Sequence, residues 1–160
     1  MKYTAAVISV SDMGSRGLRQ DTSGPAVRAM LEEAGFSVAH TAILPDEMEQ
    51  IRAELRDCAD RRRIDLIVIT GGTGLSPRDV TPEATRAVLE REILAIPVAM
   101  WMEGLKVTPR AMLSRAVAGI RDSSLLLNLP GSEKAARENL AAVIGALEHG
   151  LHMIAAEGHE

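Results

Sequence analysis

The sequence predicts an α/β protein: a three-layer, mostly parallel sheet with helices on both faces and a small antiparallel element in the C-terminal third. Three observations lead there. Strand-like and helix-like segments alternate along most of the chain, and the run Leu66-Ile67-Val68-Ile69 is continuously apolar, as in a strand covered on both faces. A glycine-rich turn, Thr70-Gly71-Gly72-Thr73-Gly74, then joins that run to a helix start. A βαβαβα succession requires right-handed crossovers and a parallel sheet.

The elements follow in order. Thr4 to Val10 reads as the first strand, and the helix from about Pro25 sets Val27, Met30, Leu31 and Ala34 at helical spacing before Gly35 stops it. A second strand, about Val38 to Ile43, leads to a helix opened by Asp46 with Glu49 three residues later, a variant of the capping box. Cys58 falls beside the apolar stripe of Met48, Ile51 and Leu55, so it reads as packing and not as a nucleophile. Arg61, Arg62 and Arg63 close this helix, where its dipole favours cations. After the third strand and its loop, Thr81 supplies an N-cap hydroxyl, Pro82 the first helical position and Glu83 an acid in the first turn.

The last third changes character. Met100, Trp101 and Met102 read as a packing cluster. Ala116 to Ile120 and Leu125 to Leu129 flank Asp122-Ser123, which predicts a strand pair or a strand near the sheet edge. A closing helix from about Glu133 to Ile154 aligns Leu140, Val143, Ile144, Leu147 and Leu151, with Ser132 placed to cap it. His149 and His152 stand on that helix, but two ligands without a third make no metal site, so they read as surface or interface residues.

Composition narrows the classes. The 160 residues suit one domain spanning 1–160, and 46% hydrophobic with 25% charged residues is ordinary for a soluble globular protein. A net charge of −4 and only three aromatics, Tyr3, Phe36 and Trp101, argue against nucleic-acid binding. Nothing reads as a membrane segment or signal peptide, and Cys58 alone precludes an intramolecular disulfide, so a cytoplasmic protein is expected.

The glycine loop is where a ligand is expected, because open α/β sheets bind outside the carboxyl ends of their strands. It is neither a P-loop, which needs a Lys-Ser/Thr pair, nor a dinucleotide fingerprint. Its charged residues are Arg78 and Asp79, and a carboxylate beside a phosphate loop points to an intervening cation such as Mg²⁺.

Thr70-Gly-Gly-Thr-Gly74, Arg78-Asp-Val-Thr-Pro-Glu-Ala-Thr85, Thr108-Pro109, Met112-Leu-Ser-Arg115, Ala118-Gly-Ile-Arg121 and Asn128-Leu-Pro-Gly131 resemble, in order and spacing, the molybdopterin adenylyltransferase family of molybdenum-cofactor synthesis. Ser9-Val-Ser-Asp12, Asp21-Thr-Ser-Gly-Pro25 and Pro45-Asp-Glu47 fit the same pattern. The resemblance implies Mg²⁺-dependent transfer of AMP from ATP, the co-substrate, to the terminal phosphate of molybdopterin, giving pyrophosphate. It implies catalytic and metal-holding roles for Asp79 and Asp46. Substrate contacts are implied at Ser11, Asp12, Gly71, Gly72, Thr73, Gly74, Ser114, Pro130, Gly131 and Ser132.

The residues alone leave bland alternatives beside these roles. Asp79 precedes Thr81-Pro82 closely enough to close an Asx-type turn, Asp46 can be a helix cap, and Asp12 can be a turn residue. Which carboxylate holds metal and which reads the pterin is open at this level. Similar proteins are homotrimers or homohexamers, and hand-over of product to a molybdate-inserting enzyme is implied. The alternative function is a non-catalytic paralogue that binds molybdopterin and passes it on.

Overall fold

The computed structural model describes residues 2–156, so Met1 and residues 157–160 of the expected 1–160 unit lie outside the described residues. β1 (Thr4–Val10) leads through a one-turn helix, α1 (Asp12–Ser15), to α2 (Ser23–Glu33). β2 (Ser37–Leu44) leads to α3 (Met48–Arg56), which ends in a π turn at Asp57–Arg61, and β3 (Leu66–Thr70) leads to α4 (Thr81–Val88). Then come β4 (Arg91–Glu92), α5 (Ala95–Leu105), a 3-10 turn at Pro109–Leu113, β5 (Ala118–Arg121), β6 (Ser124–Leu129) and α6 (Glu133–Ala155).

Among the described residues, these six strands form one sheet in the order β2-β1-β3-β6-β5-β4. β2, β1, β3 and β6 are parallel, while β5 runs antiparallel to β6 and to β4. The α/β architecture is as the sequence predicts. Central strands alternate between two cores: Ala5, Val7, Leu66 and Val68 face Leu31 of α2, Met100 of α5 and Leu140 of α6. Ala6, Ile8, Ile67 and Ile69 face Ile51 and Leu55 of α3 and Val88 of α4. Burial on both faces is why β3 reads as an unbroken apolar run.

The edge strand β2 breaks its register once. Ala5 pairs with Val38 but Ala6 pairs with His40, so Ala39 is the extra residue of a β-bulge. Val38 accordingly packs in the α2 and α6 core, whereas Ala42 and Leu44, in register with His40, pack in the α3 core.

Several boundaries differ from expectation, each for a local reason. Thr81 is not the cap of α4; Val80 holds that position, and the Thr81 hydroxyl is buried without a partner among the described residues. α2 begins at Ser23, ahead of Pro25, because Asp21 Oδ1 accepts the Gly24 N–H at 3.0 Å. Glu47, not Asp46, precedes α3, and no side chain caps that helix. Arg61 and Arg62 pair with Asp57, and Arg63 pairs with Asp122 in the turn between β5 and β6, so these cations are engaged by carboxylates and not by the helix terminus alone. Of the expected packing cluster, Met100 is fully buried but Met102 is 64% exposed. His152 is exposed and shares a 2.9 Å hydrogen bond with the Tyr3 hydroxyl.

Candidate active site

β2 and β3 lie on opposite sides of β1, so the direction of winding reverses at β1 and a crevice opens between the carboxyl ends of β1 and β3. A cavity of about 550 Å³ sits there, lined at the end of β1 by Ser9, Val10 and the following Ser11 and at the end of β3 by Thr70 and the following Gly71 and Gly72. The turn after β2 adds Asp46, the loop before α4 adds Asp79, and the turn after β6 adds Gly131 and Ser132. That size suits a small-molecule ligand.

Two glycines make the crevice possible. Gly71 has φ +100° and Gly72 φ +69°, both in the left-handed region. A Cβ on Gly71 would strike the Val10 carbonyl, and one on Gly72 would strike the Thr81 hydroxyl and come within 3.1 Å of Asp46 Oδ1. The loop therefore lies flat against β1 and against the start of α4.

Its outer side is clamped by Arg115. The guanidinium donates to the Gly74 carbonyl at 2.8 Å, to the Asp79 carbonyl at 2.8 Å and to Glu83 Oε2 at 2.6 Å. The Arg115 N–H adds a bond to the Thr73 carbonyl at 2.9 Å. From the other side, the Thr70 hydroxyl donates to the Pro130 carbonyl at 2.7 Å and the Ser23 hydroxyl to the Gly131 carbonyl at 2.8 Å. Loop, turn and helix start thus fix one another.

The aspartates fall into distinct environments. Asp12 and Asp46 bond reciprocally: the Asp12 N–H donates to Asp46 Oδ2 at 3.0 Å and the Asp46 N–H donates to Asp12 Oδ1 at 2.9 Å. Asp46 is therefore a brace between two strand ends and not a helix cap. Burial pushes its carboxyl above the usual carboxylate range; the Asp12 N–H opposes this, while the like charges of Asp12 and Asp79 add to it. Asp12 goes the other way. Its two oxygens take a two-pronged pair of bonds from Arg78 at 3.0 Å each, which holds it below the usual range. Arg78 also reaches Glu47 Oε1 at 2.9 Å, so it fastens the glycine loop to the turn after β2.

Asp79 does two things at once. Its Oδ2 accepts the N–H of Ser76, three residues back, at 3.0 Å, whereas the Thr81 N–H goes to the Gly72 carbonyl, so the bond closes the loop backward and is not an Asx-type turn onto Thr81; the residue also lines the cavity. Asp21, part of a family-like motif but not an expected site residue, lines the cavity and accepts the Ser9 hydroxyl at 2.6 Å. Arg19, Thr22 and Ser23 also line it. The available signal was the Asp-Thr-Ser-Gly-Pro run, whose polar residues precede a helix at the same sheet edge.

Not every expected contact residue faces the cavity. Thr73 is buried, Gly74 is held by Arg115, and the Ser114 hydroxyl accepts the Ala116 N–H at 3.3 Å. Pro130 contributes through its carbonyl, Asp12 is not among the lining residues and is bonded to Asp46 and Arg78, and Ser11 and Ser132 cap α1 and α6 by accepting from Gly14 and Ala135. Cys58 is fully buried and its thiol is pushed up to about 12, chiefly by burial, which suits packing and no nucleophilic role.

Four acids (Asp21, Asp46, Asp79, Glu133) and one base (Arg19) line the cavity among the described residues. Such a wall repels a phosphate unless a cation accompanies it, and its hard oxygen donors fit Mg²⁺. The start of α6 adds N–H donors suited to phosphate.

Residues 6–149 match the model of a probable molybdopterin binding domain. The chain is 42% identical to the molybdenum cofactor synthesis protein cinnamon of Drosophila melanogaster, over 94% of this chain and 25% of that protein. The chain thus spans about a quarter of the length of that relative. It is 41% identical to the molybdopterin adenylyltransferase of Helicobacter pylori J99, over 92% of this chain and 85% of that one. The crystal structure of the molybdopterin biosynthesis enzyme MoaB of Thermus thermophilus superposes with a TM-score of 0.92 at 48% identity, covering 97% of this chain and 98% of that chain.

Proposed function

Because this chain belongs to the family of the probable molybdopterin binding domain, we propose that it is a nucleotidyltransferase that moves AMP from ATP to the terminal phosphate of molybdopterin. An oxygen of the pterin phosphate attacks the α-phosphorus of ATP, and the bond from that phosphorus to the departing pyrophosphate breaks. The observation that carries the reading is the convergence of Asp46 and Asp79, from two separate strand ends, on one cavity beside a glycine loop. The relative named molybdopterin adenylyltransferase supports the choice of reaction.

The attacking oxygen is already anionic, so no side chain has to remove a proton from it. What the protein supplies is placement and charge. Asp46 and Asp79 would hold Mg²⁺, which supplies neutralisation of the phosphates when bound. The flat glycine turn admits the phosphates close to the backbone, and Ser132 with the first N–H groups of α6 offers donors to them. Asp21, in the same cavity lining, offers an acceptor to the amino and ring N–H groups of a pterin. The exposed apolar strip around α5 is covered by further copies in a trimer or a larger oligomer.

Incubating the protein with ATP, Mg²⁺ and molybdopterin should yield adenylylated molybdopterin and pyrophosphate. Asp79→Asn should fold normally and lose about a hundredfold or more of that turnover, the scale of removing one electrostatic group from a preorganised site. Near-normal turnover of the variant would reject the assignment. Retention of molybdopterin with no AMP transfer by the unaltered protein would instead identify a binding and hand-over module.

A further inference from the structure

A second cluster of chemically capable side chains lies on the α3 face of the sheet, outside the cavity and unused by the reaction above. We propose that His40, Glu54 and Cys58 form a site for a borderline-soft divalent ion of the zinc class. One ligand atom from each, an imidazole nitrogen, a carboxylate oxygen and the sulfur, lie within 4.8 Å of one another. His40 Nε2 is 2.6 Å from Glu54 Oε1, and Cys58 Sγ is 3.8 Å from the same oxygen. A tetrahedral ion with bonds of about 2.0–2.3 Å spaces its ligands by roughly 3–4 Å, so the three ligand atoms stand within about an ångström of the required spacing.

Two departures from regular geometry create this juxtaposition. The bulge at Ala39 brings His40 to the face of β2 that meets α3. Without the extra residue His40 would share the face of Val38, toward α2. On the facing element, α3 widens into the π turn Asp57–Arg61, which contains Cys58, one turn beyond Glu54. Bulges and π turns both recur beside functional side chains, and here they converge.

The donor set has a selectivity of its own. Imidazole and thiolate favour zinc and its neighbours over Mg²⁺ and Ca²⁺, which the all-oxygen cavity suits. His40 and Glu54 are 18% and 21% exposed, so an ion has an entry path, while Cys58 closes the inner side. Three protein ligands leave a fourth position for water. Only the thiolate is a ligand, and burial pushes the Cys58 thiol up to about 12 in the metal-free protein, so the ion itself has to displace the thiol proton and binds more tightly as pH rises. The bound ion would staple the edge strand β2 to α3 just ahead of the turn that carries Asp46.

Cobalt(II) is the probe, because a cobalt–thiolate bond gives a charge-transfer band in the near ultraviolet and Cys58 is the one cysteine of the chain. Titration of the untagged, metal-stripped protein should produce that band, saturating at one equivalent and bleached by zinc. Cys58→Ser should abolish it. His40→Gln, a change on a partly exposed strand with folding checked by circular dichroism, should weaken cobalt affinity at least tenfold. Zinc should raise the melting temperature of the unaltered protein and leave that of His40→Gln unmoved. No band at saturating cobalt, or a band of undiminished affinity in both His40→Gln and Glu54→Gln, overturns the site. Neither readout involves AMP transfer, so its failure is distinct from failure of the proposed reaction.

Discussion

Asp46 is a residue whose role and whose stability contribution have opposite signs. Its carboxyl is raised by burial, so the folded state favours the protonated form more than the unfolded chain does. The stability linked to this group is complete below the ordinary carboxylate pKa and is lost as pH rises through the raised one. At neutral pH the ionised group thus strains the fold. Asn keeps an oxygen for the Asp12 N–H and drops the charge. Asp46→Asn is expected to melt higher than the unaltered protein at neutral pH, with the gain shrinking as pH falls through the carboxylate range, and to lose AMP transfer. Thermal melts across that range, beside a pyrophosphate assay, check both halves. A variant that melts lower at pH 7, or that keeps full turnover, contradicts the account. A residue that costs stability where it is ionised is a familiar mark of a working group.

At the scale of elements, the site depends on a loop held in shape from outside. Arg115 makes three side-chain bonds to that loop and to α4, and the Asn128 amide ties β6 to α4 by donating to the Thr85 hydroxyl at 3.0 Å. Arg115→Ala should lower unfolding free energy by about 1.5–3 kcal/mol, the range for hydrogen bonds to a charged group, and weaken ATP binding. Urea unfolding and calorimetric ATP titration give the two quantities. An unchanged urea midpoint would mean that the clamp is ornamental. The regular elements were legible because burial imprints itself as period: β3 as a continuous run, α6 as a stripe. Ala95 to Leu105 is apolar nearly all round, so α5 left no period to read, and β4 is two charged residues. The bulge at Ala39 was invisible because exposure along β2 keeps alternating across it. Asp46 was ambiguous for a different reason. An Asp three residues before a Glu looks the same whether it caps a helix or reaches a backbone amide 34 residues away.

On the scale of the whole molecule, the proposed assembly rests on a run of exposed apolar side chains around α5. Leu94 is 66%, Met102 64% and Met112 66% exposed, with Val98, Leu105, Val107 and Leu113 beside them in sequence. Light scattering should give a mass three or six times that of the chain, and Met102→Glu should shift it to the monomer without altering circular dichroism. A monomeric unaltered protein would remove the proposed assembly. The cavity, by contrast, belongs to the chain's long-range architecture. Its walls come from the ends of β1, β2 and β3 and from the turn after β6, and one of the bonds that joins them, from Ser23 to Gly131, spans 108 residues. A complete cavity therefore reports that the first, middle and last thirds of the chain have come together, so a ligand that fills it reads out long-range assembly rather than any local element.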